Sequence, residues 1–168
     1  MTIAPFDWGG KGACGDYAPT FSVDPILVEQ RWIPKPAAYS GVLEYNHMTR
    51  MMEITDGTSN TILLTEVAGR PKQWRAGTPG DDQKISGGPW AGYRTGIALK
   101  GSSLDGQMRP GPCAINCTND HEVYSFHARG ANAVFADGTV RFLSSDMSIQ
   151  VLAALITRAG GEVVSVPD

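Results

Sequence analysis

The sequence predicts an α+β domain: an antiparallel sheet with long Gly- and Pro-rich loops and a C-terminal amphipathic helix packed on it. Three observations carry this. The 168 residues include 20 Gly and 11 Pro, punctuation that favours many turns over continuous helix. The stretch FHARGANAVFADGTVRFL, Phe126 to Leu143, reads as two short apolar strands joined by Asp137-Gly138, a link that prefers a type I′ turn. Behind Ser148, a suitable N-cap, Ile149, Leu152, Leu155 and Ile156 fall on one helical face, with Gly160-Gly161 as the stop.

The length suits one domain, 1–168, with a core of its own. Acids and bases nearly balance at a formal charge of −3 without a basic block, which excludes the phosphate-neutralising field that nucleic acid requires. No apolar run reaches the eighteen or so residues of a membrane span, and Met1-Thr2-Ile3 lacks the basic and apolar regions of a signal peptide. As given, the chain is expected to carry neither a membrane span nor an export address.

Taken in order, residues 1–20 read as an irregular lead-in around Gly15-Asp16-Tyr17-Ala18-Pro19. Pro25 to Ile33 (PILVEQRWI) is apolar enough for a strand, ended by Pro34 and Pro36. Asn46 to Glu53 is a helical turn or a strand end, too short for periodicity to decide. Ile54 to Thr61 (ITDGTSNT) is dense in residues whose side chains bond nearby backbone, so it turns. Ile62 to Val67 is nearly uniformly apolar and reads as a central strand, which leaves Glu66 a buried carboxylate in need of a partner. Gly69 to Gly111 is a long decorated loop with one short strand within Tyr93 to Leu99; loops of that length usually bind something or pack on a surface. Val123 to Phe126, Ala133 to Ala136 and Thr139 to Leu143 are the remaining strands, with a last short one over Glu162 to Val166.

Several groups invite a chemical reading. Cys14, Cys113 and Cys117 are too few and too unevenly spaced for a zinc site. Cys113 and Cys117 either close a small disulfide loop in an oxidising compartment or pack as reduced thiols in a cytosolic one. Cys14 is the odd one. Asp56, Ser59 and Asn60 offer oxygens to a hard cation such as calcium, but their spacing is not that of an EF-hand and the turn explains them better; whether a metal binds is left open. Trp74, Trp90 and Tyr93 in the Gly-rich loop are able to stack on a sugar or a partner, though loop aromatics more often pin the loop to the body. No GxSxG or defensible Ser, His and Asp grouping occurs.

Four stretches in order, ITDGTSNTILLTE, GPCAINCTND, YSFHARGANAVFADGTVRFL and LITRAGGEVV, resemble a bacterial family of unknown activity, the domain-of-unknown-function 1559 family. Members typically begin with a prepilin-type leader and a long apolar helix and end in a signature of His, nine residues, then Asp-Gly, which here is His127 followed by Asp137-Gly138. Cys14-Gly15-Asp16-Tyr17-Ala18 extends the resemblance to about residue 12. It implies a pilin-like fold and an extracytoplasmic place, at the cell surface, secreted or periplasmic. Neither the leader nor the long helix is read in this sequence, which is expected to be a truncated or processed product or a variant that works without them.

His127 and Asp137 have the chemistry of metal ligands or of an acid and base pair. The structural reading is preferred: Asp137 and Gly138 supply the positive φ angles of a hairpin turn, and His127 bonds backbone at the sheet edge. The resemblance also suggests that Asp16, Glu66 and His127 converge, with Glu66 as a staple to loop N–H groups. The expected function is non-enzymatic and cofactor-free: a pilin-like structural or assembly protein that exposes an apolar sheet surface to other protein subunits in a homo- or hetero-assembly. A module gripping a glycan or small solute with the 69–111 loop is the alternative.

Overall fold

The computed structural model describes residues 13–90, 92 and 94–162, and their side chains except those of 81–83. The chain is α+β. Its main sheet has five strands in the order β5-β1-β2-β6-β7: β1 (Tyr17–Val23), β2 (Ile62–Glu66), β5 (Ile97–Leu99), β6 (Gly130–Phe135) and β7 (Val140–Ser144). All neighbours are antiparallel except β1 and β5, which run parallel, so the sheet is mixed at one edge. A second, two-stranded sheet joins β3 (Lys72–Arg75) to β4 (Thr78–Lys84).

Helix α2 (Ile149–Ile156) covers one face of the main sheet, and Ser148 caps it by accepting the Val151 N–H. Ile149, Leu152, Leu155 and Ile156 are buried against β1 and β2, and Ala18, small enough for the helix to lie close, shares this core with Ala131 and Ala133. Phe135 and Leu143 fill the remainder of that layer. As expected, Ile62–Glu66 is the central strand.

The opposite face is open. Matching registers run Pro19, Leu64, Val134 and Val140 in one row across β1, β2, β6 and β7. The next row holds Tyr17 and Glu66 opposite each other and Asn132 opposite Phe142. Tyr17, Val140 and Phe142 are half or more exposed. Beyond β7 no further strand pairs among the described residues.

Several local expectations are corrected. Pro25 to Ile33 is no strand: Asp24 Oδ1 accepts the Ile26 N–H at 3.0 Å and starts helix α1 (Ile26–Glu29), where Pro25 costs nothing because a first-turn N–H has no helical partner. The lead-in holds strand β1, and Pro19 is tolerated there. It sits where pairing to β2 gives way to pairing with β5 from Thr20 onward, so its missing N–H breaks no ladder. Asn46 to Glu53 contains one 3₁₀ turn, Met51–Glu53.

The 69–111 segment is not one loop, because the β3–β4 hairpin is folded within it. Its turn residues Ala76 and Gly77 have φ of 45° and 80°, the type I′ pattern, and Ala76 N–H is held by the Cys117 carbonyl at 2.9 Å. At Asp137-Gly138 the expected type I′ turn is absent. Gly138 N–H bonds the Phe135 carbonyl, Phe135 N–H bonds the Thr139 carbonyl, and only Gly138 has positive φ, 85°. That is a three-residue link, Ala136-Asp137-Gly138, of type I turn plus bulge. Asp137 earns its place through its side chain, which accepts both the N–H and the hydroxyl of Thr139 at 2.9 and 2.7 Å.

Val123 to Phe126 forms isolated bridges through Val123 and Tyr124 rather than a strand. Helix α2 ends at Thr157, in extended backbone, before Gly160-Gly161 is reached. Glu162 is not in a strand, and 163–166 lie outside the described residues.

Candidate functional site on the open sheet face

β2 ends in Glu66, and the register places Tyr17 directly opposite. The Glu66 carboxylate is nearly enclosed, 9% exposed, and receives three donors. Oε2 accepts the Asn132 backbone N–H at 2.6 Å, while Oε1 accepts the Tyr17 hydroxyl and His127 Nε2–H at 3.2 Å each. Partial burial, and after it the Glu66 charge, push the Tyr17 hydroxyl above the ordinary tyrosine range, which keeps it a donor. The His127 side chain remains 58% exposed, its ring edge-on to Phe142 with centroids 6.5 Å apart.

His127 is delivered by a neighbouring loop. Cys113 and Cys117 are disulfide-bonded. Between them Asn116 adopts φ 65°, a conformation Asn tolerates better than most residues. From there Asn116 Oδ1 accepts the Ser125 N–H at 2.7 Å and Nδ2 donates to the Gly130 carbonyl at 3.1 Å. The Ser125 hydroxyl in turn accepts the His127 N–H at 3.1 Å. The disulfide loop thus clasps both ends of the turn that carries His127. Cys14 is an exposed free thiol.

Of the three residues expected to converge, Glu66 and His127 meet. Asp16 stands alongside, bonding the Gly69 N–H at 3.4 Å through Oδ1 and the Val67 N–H at 2.8 Å through its carbonyl. His127 does not bond backbone with its ring, as expected at a sheet edge, because the Glu66 carboxylate is the stronger acceptor. His127 and Asp137 lie at opposite ends of β6 and make no pair.

The ITDGTSN turn is held by the chain's own C-terminal segment. Asp56 accepts the Gly160 and Gly161 N–H groups at 2.6 and 3.1 Å, Asn60 Nδ2 donates to the Asp56 carbonyl at 3.3 Å, and Ser59 donates to Asp137. Gly57, with φ 95°, lets the chain enter this turn. Among the described residues no three His, Cys, Asp or Glu side chains gather as metal ligands. Trp74 packs edge-on to Phe126, centroids 4.8 Å apart, so it pins β3 to the body. Trp90 is largely exposed, and Tyr93 lies outside the described residues.

A cavity of about 310 Å³ opens between the Thr55–Asn60 turn and Ala154-Leu155, and one of about 140 Å³ lies between Ile33-Pro34 and the Gln150–Ala154 face of α2. Glu66, His127, Trp74 and Trp90 line neither. The Glu66–His127 pair is therefore a closed polar bond on an open apolar surface. Its carboxylate is engaged on both oxygens, which leaves it poorly placed as a general base.

A second polar group was not read from the sequence. Asn119, fully buried, donates to the Ala68 and Lys72 carbonyls and accepts the Trp74 N–H, at 3.1, 2.9 and 2.8 Å. Glu122 is buried with its two oxygens on the Lys100 and Gly101 N–H groups, 3.1 Å each, and burial pushes its carboxyl up to about 8. Arg70 donates to the Thr95 carbonyl at 2.9 Å, and burial lowers its guanidinium to about 10. Burial likewise lowers the His121 imidazole, which is bonded to the Ser86 hydroxyl at 2.7 Å. The signal for Asn119, His121 and Glu122 was the density of polar residues in TNDHE, between the segment read as a loop and the strand expected from Val123.

The family described as "Protein of unknown function (DUF1559)" matches residues 29–150, well over half of the chain. The chain belongs to this family. The matched span of the DUF1559 domain contains the disulfide loop, the Glu66–His127 pair and the β6–β7 hairpin, while Cys14–Ala18 and the stretch after Gln150 fall outside it. No curated protein and no solved structure matches the chain. Among the described residues no helix is long and apolar enough to cross a membrane.

Proposed function

We propose that this DUF1559 domain is a non-enzymatic, pilin-like extracytoplasmic protein that works by assembling with other protein chains through the open face and free edge of its main sheet. The observation that carries this is β7. Alternation along the β6–β7 ladder turns the Arg141 and Leu143 N–H groups toward β6 and those of Val140 and Phe142 outward. The side chains of Val140 and Phe142 lie exposed on the open face. The strand carries no Lys or Pro, and its one charge, Arg141, is turned to the inner side over the Phe135 ring at 4.4 Å. Natural edge strands are usually blunted by such residues; this one is left suitable for strand addition.

A second β7 is a fitting occupant. Antiparallel pairing about a two-fold axis at Phe142 sets Phe142 against Phe142 and Val140 against Ser144, joining two sheets into one. The extracytoplasmic reading draws support from the Cys113–Cys117 disulfide, a bond rare in reducing compartments. The motif side chains support a non-enzymatic role, because Asp56, Glu66, Asn116 and Asp137 are engaged in bonds that hold turns and strands. Sedimentation equilibrium tests the proposal: concentration-dependent self-association is expected, weakened by Phe142→Lys, and a monomer throughout the range contradicts it.

One observation favours the alternative, a module for a glycan or small solute. Trp90 is exposed on the loop, and Arg70 in the same 69–111 segment has its Nε and Nη1 buried without an acceptor among the described residues. Quenching of Trp90 fluorescence by a saccharide panel, absent in Arg70→Met, decides for that reading.

A further inference from the structure

Half of the chain's six methionines fall within five residues, in His47-Met48-Thr49-Arg50-Met51-Met52. None of the three is used by the core: Met48, Met51 and Met52 are 88%, 64% and 79% exposed. Three thioethers kept in water on one short segment contribute little to folding, which burial drives, so the stability of the domain does not account for them.

The residue before them supplies the second observation. His47 Nε2 lies 3.0 Å from Glu53 Oε2. With the Glu53 carboxylate as acceptor, Nε2 carries the proton and Nδ1 keeps its lone pair. A carboxylate that fixes a histidine tautomer in this way is the usual outer partner of a metal-bound imidazole. The segment is anchored at both ends, by Thr49 Oγ1 on the Val42 carbonyl at 2.6 Å and by the 3₁₀ turn Met51–Glu53. The methionine stems themselves have three rotatable bonds and no packing to break.

We infer that His47, Met48, Met51 and Met52 form a site for a soft monovalent cation, Cu(I) or Ag(I), held by thioether sulfurs and His47 Nδ1. Thioethers select such ions over zinc, calcium or magnesium, and unlike thiols they persist unpaired in an oxidising compartment. Met51 and Met52 are adjacent, with Cα atoms about 3.8 Å apart, and Met48 lies three residues earlier, before the 3₁₀ turn begins, so the ion gathers flexible ligands instead of entering a rigid cage. No electron transfer is involved, and the site needs neither the sheet edge nor the disulfide.

The test uses Ag(I), which requires no reductant, with the full chain carrying Cys14→Ser so that the exposed thiol does not compete. Methionine methyl groups are labelled with ¹³C and followed by NMR at pH 7.5. The signals of Met48, Met51 and Met52 are expected to shift together and saturate at one Ag(I) per chain, while those of Met108 and Met147 stay in place. Met51→Leu keeps the apolar surface and removes the sulfur; it is expected to weaken binding at least tenfold, and His47→Gln to weaken it as well. Methyl signals that do not move overturn the proposal. So does Ag(I) affinity unchanged in Met51→Leu, which leaves the segment an apolar contact surface. All of these side chains are exposed, and circular dichroism of each variant confirms the fold.

Discussion

Replacing Cys113 and Cys117 together by Ala tests how His127 is held. The bond closes a ring of five residues, with a sequence separation of 4. Chain-entropy arguments give a ring of that size about 2 kcal/mol of stabilisation. In a domain of this length each kcal/mol moves the melting temperature by about 2–4 °C, so the double variant is expected to melt about 4–8 °C lower. The loss has a local signature too. Asn116 sits inside the ring, and its side chain bonds Ser125 N–H and the Gly130 carbonyl at 2.7 and 3.1 Å. Once the ring opens, the turn carrying His127 loosens and the 3.2 Å contact from its Nε2 to Glu66 is populated less. Calorimetry measures the first effect, and the chemical shifts of the His127 imidazole, compared by NMR in both proteins under the same conditions, measure the second. A melting temperature within about 1 °C of the parent, with unchanged His127 imidazole shifts, refutes the reasoning, because Asn116 would then hold its conformation unaided.

Asp56→Ala strips the acceptor from the Gly160 and Gly161 N–H groups, two charge-assisted bonds, and is expected to cost about 2–3 kcal/mol in urea unfolding. Glu66→Ala leaves the buried end of β2 without an acceptor for Asn132, Tyr17 and His127 and is expected to cost about 2 kcal/mol, whereas His127→Ala, removing one exposed donor, costs about 1 kcal/mol or less; equal losses on denaturant titration would contradict the geometry. Glu122 sets a pH dependence. Its carboxyl is pushed up to about 8 when folded, against an ordinary value near 4.3 in an unfolded chain. Between those values the folded state holds a proton that the unfolded state has lost. That contribution is complete below about pH 4 and is lost as pH rises through 8. At about 1.4 kcal/mol per pH unit, the parent loses several kcal/mol across that window and Glu122→Gln loses markedly less, as stability measured from pH 5 to 9 will show.

The α+β class, the central strand at Ile62–Glu66, the β6–β7 hairpin and α2 were legible because each rests on local pattern: apolar alternation, a serine cap and helical spacing. Glu66 was legible as a buried acid in an apolar run, and its meeting with His127 only through the family resemblance. That contact spans 61 residues, and nothing local to His127 foretells it. Turn types failed in both directions. Asp137-Gly138 carries the composition of a type I′ turn but gains a residue from Ala136, while Ala76-Gly77 lacks that composition and adopts the turn because the Cys117 carbonyl and the β3–β4 pairing hold it there. Pro25 to Ile33 misled through apolar content alone, since Asp24 and Pro25 were a helix start. Asn116, Asn119 and Glu122 escaped because a buried polar hub is defined by the strands around it, which are distant in sequence.

The central claim is that β7 is a docking edge, and the most direct measurement is sedimentation equilibrium of the parent chain beside Val140→Pro and Val140→Thr. Proline at 140 removes one outward N–H while leaving the bonds to β6, and threonine keeps both the N–H and the β-branch. The account predicts a reversible dimer for the parent and for Val140→Thr, shifted at least tenfold toward monomer by Val140→Pro. A monomeric parent, or a dimer indifferent to proline at this position, contradicts it.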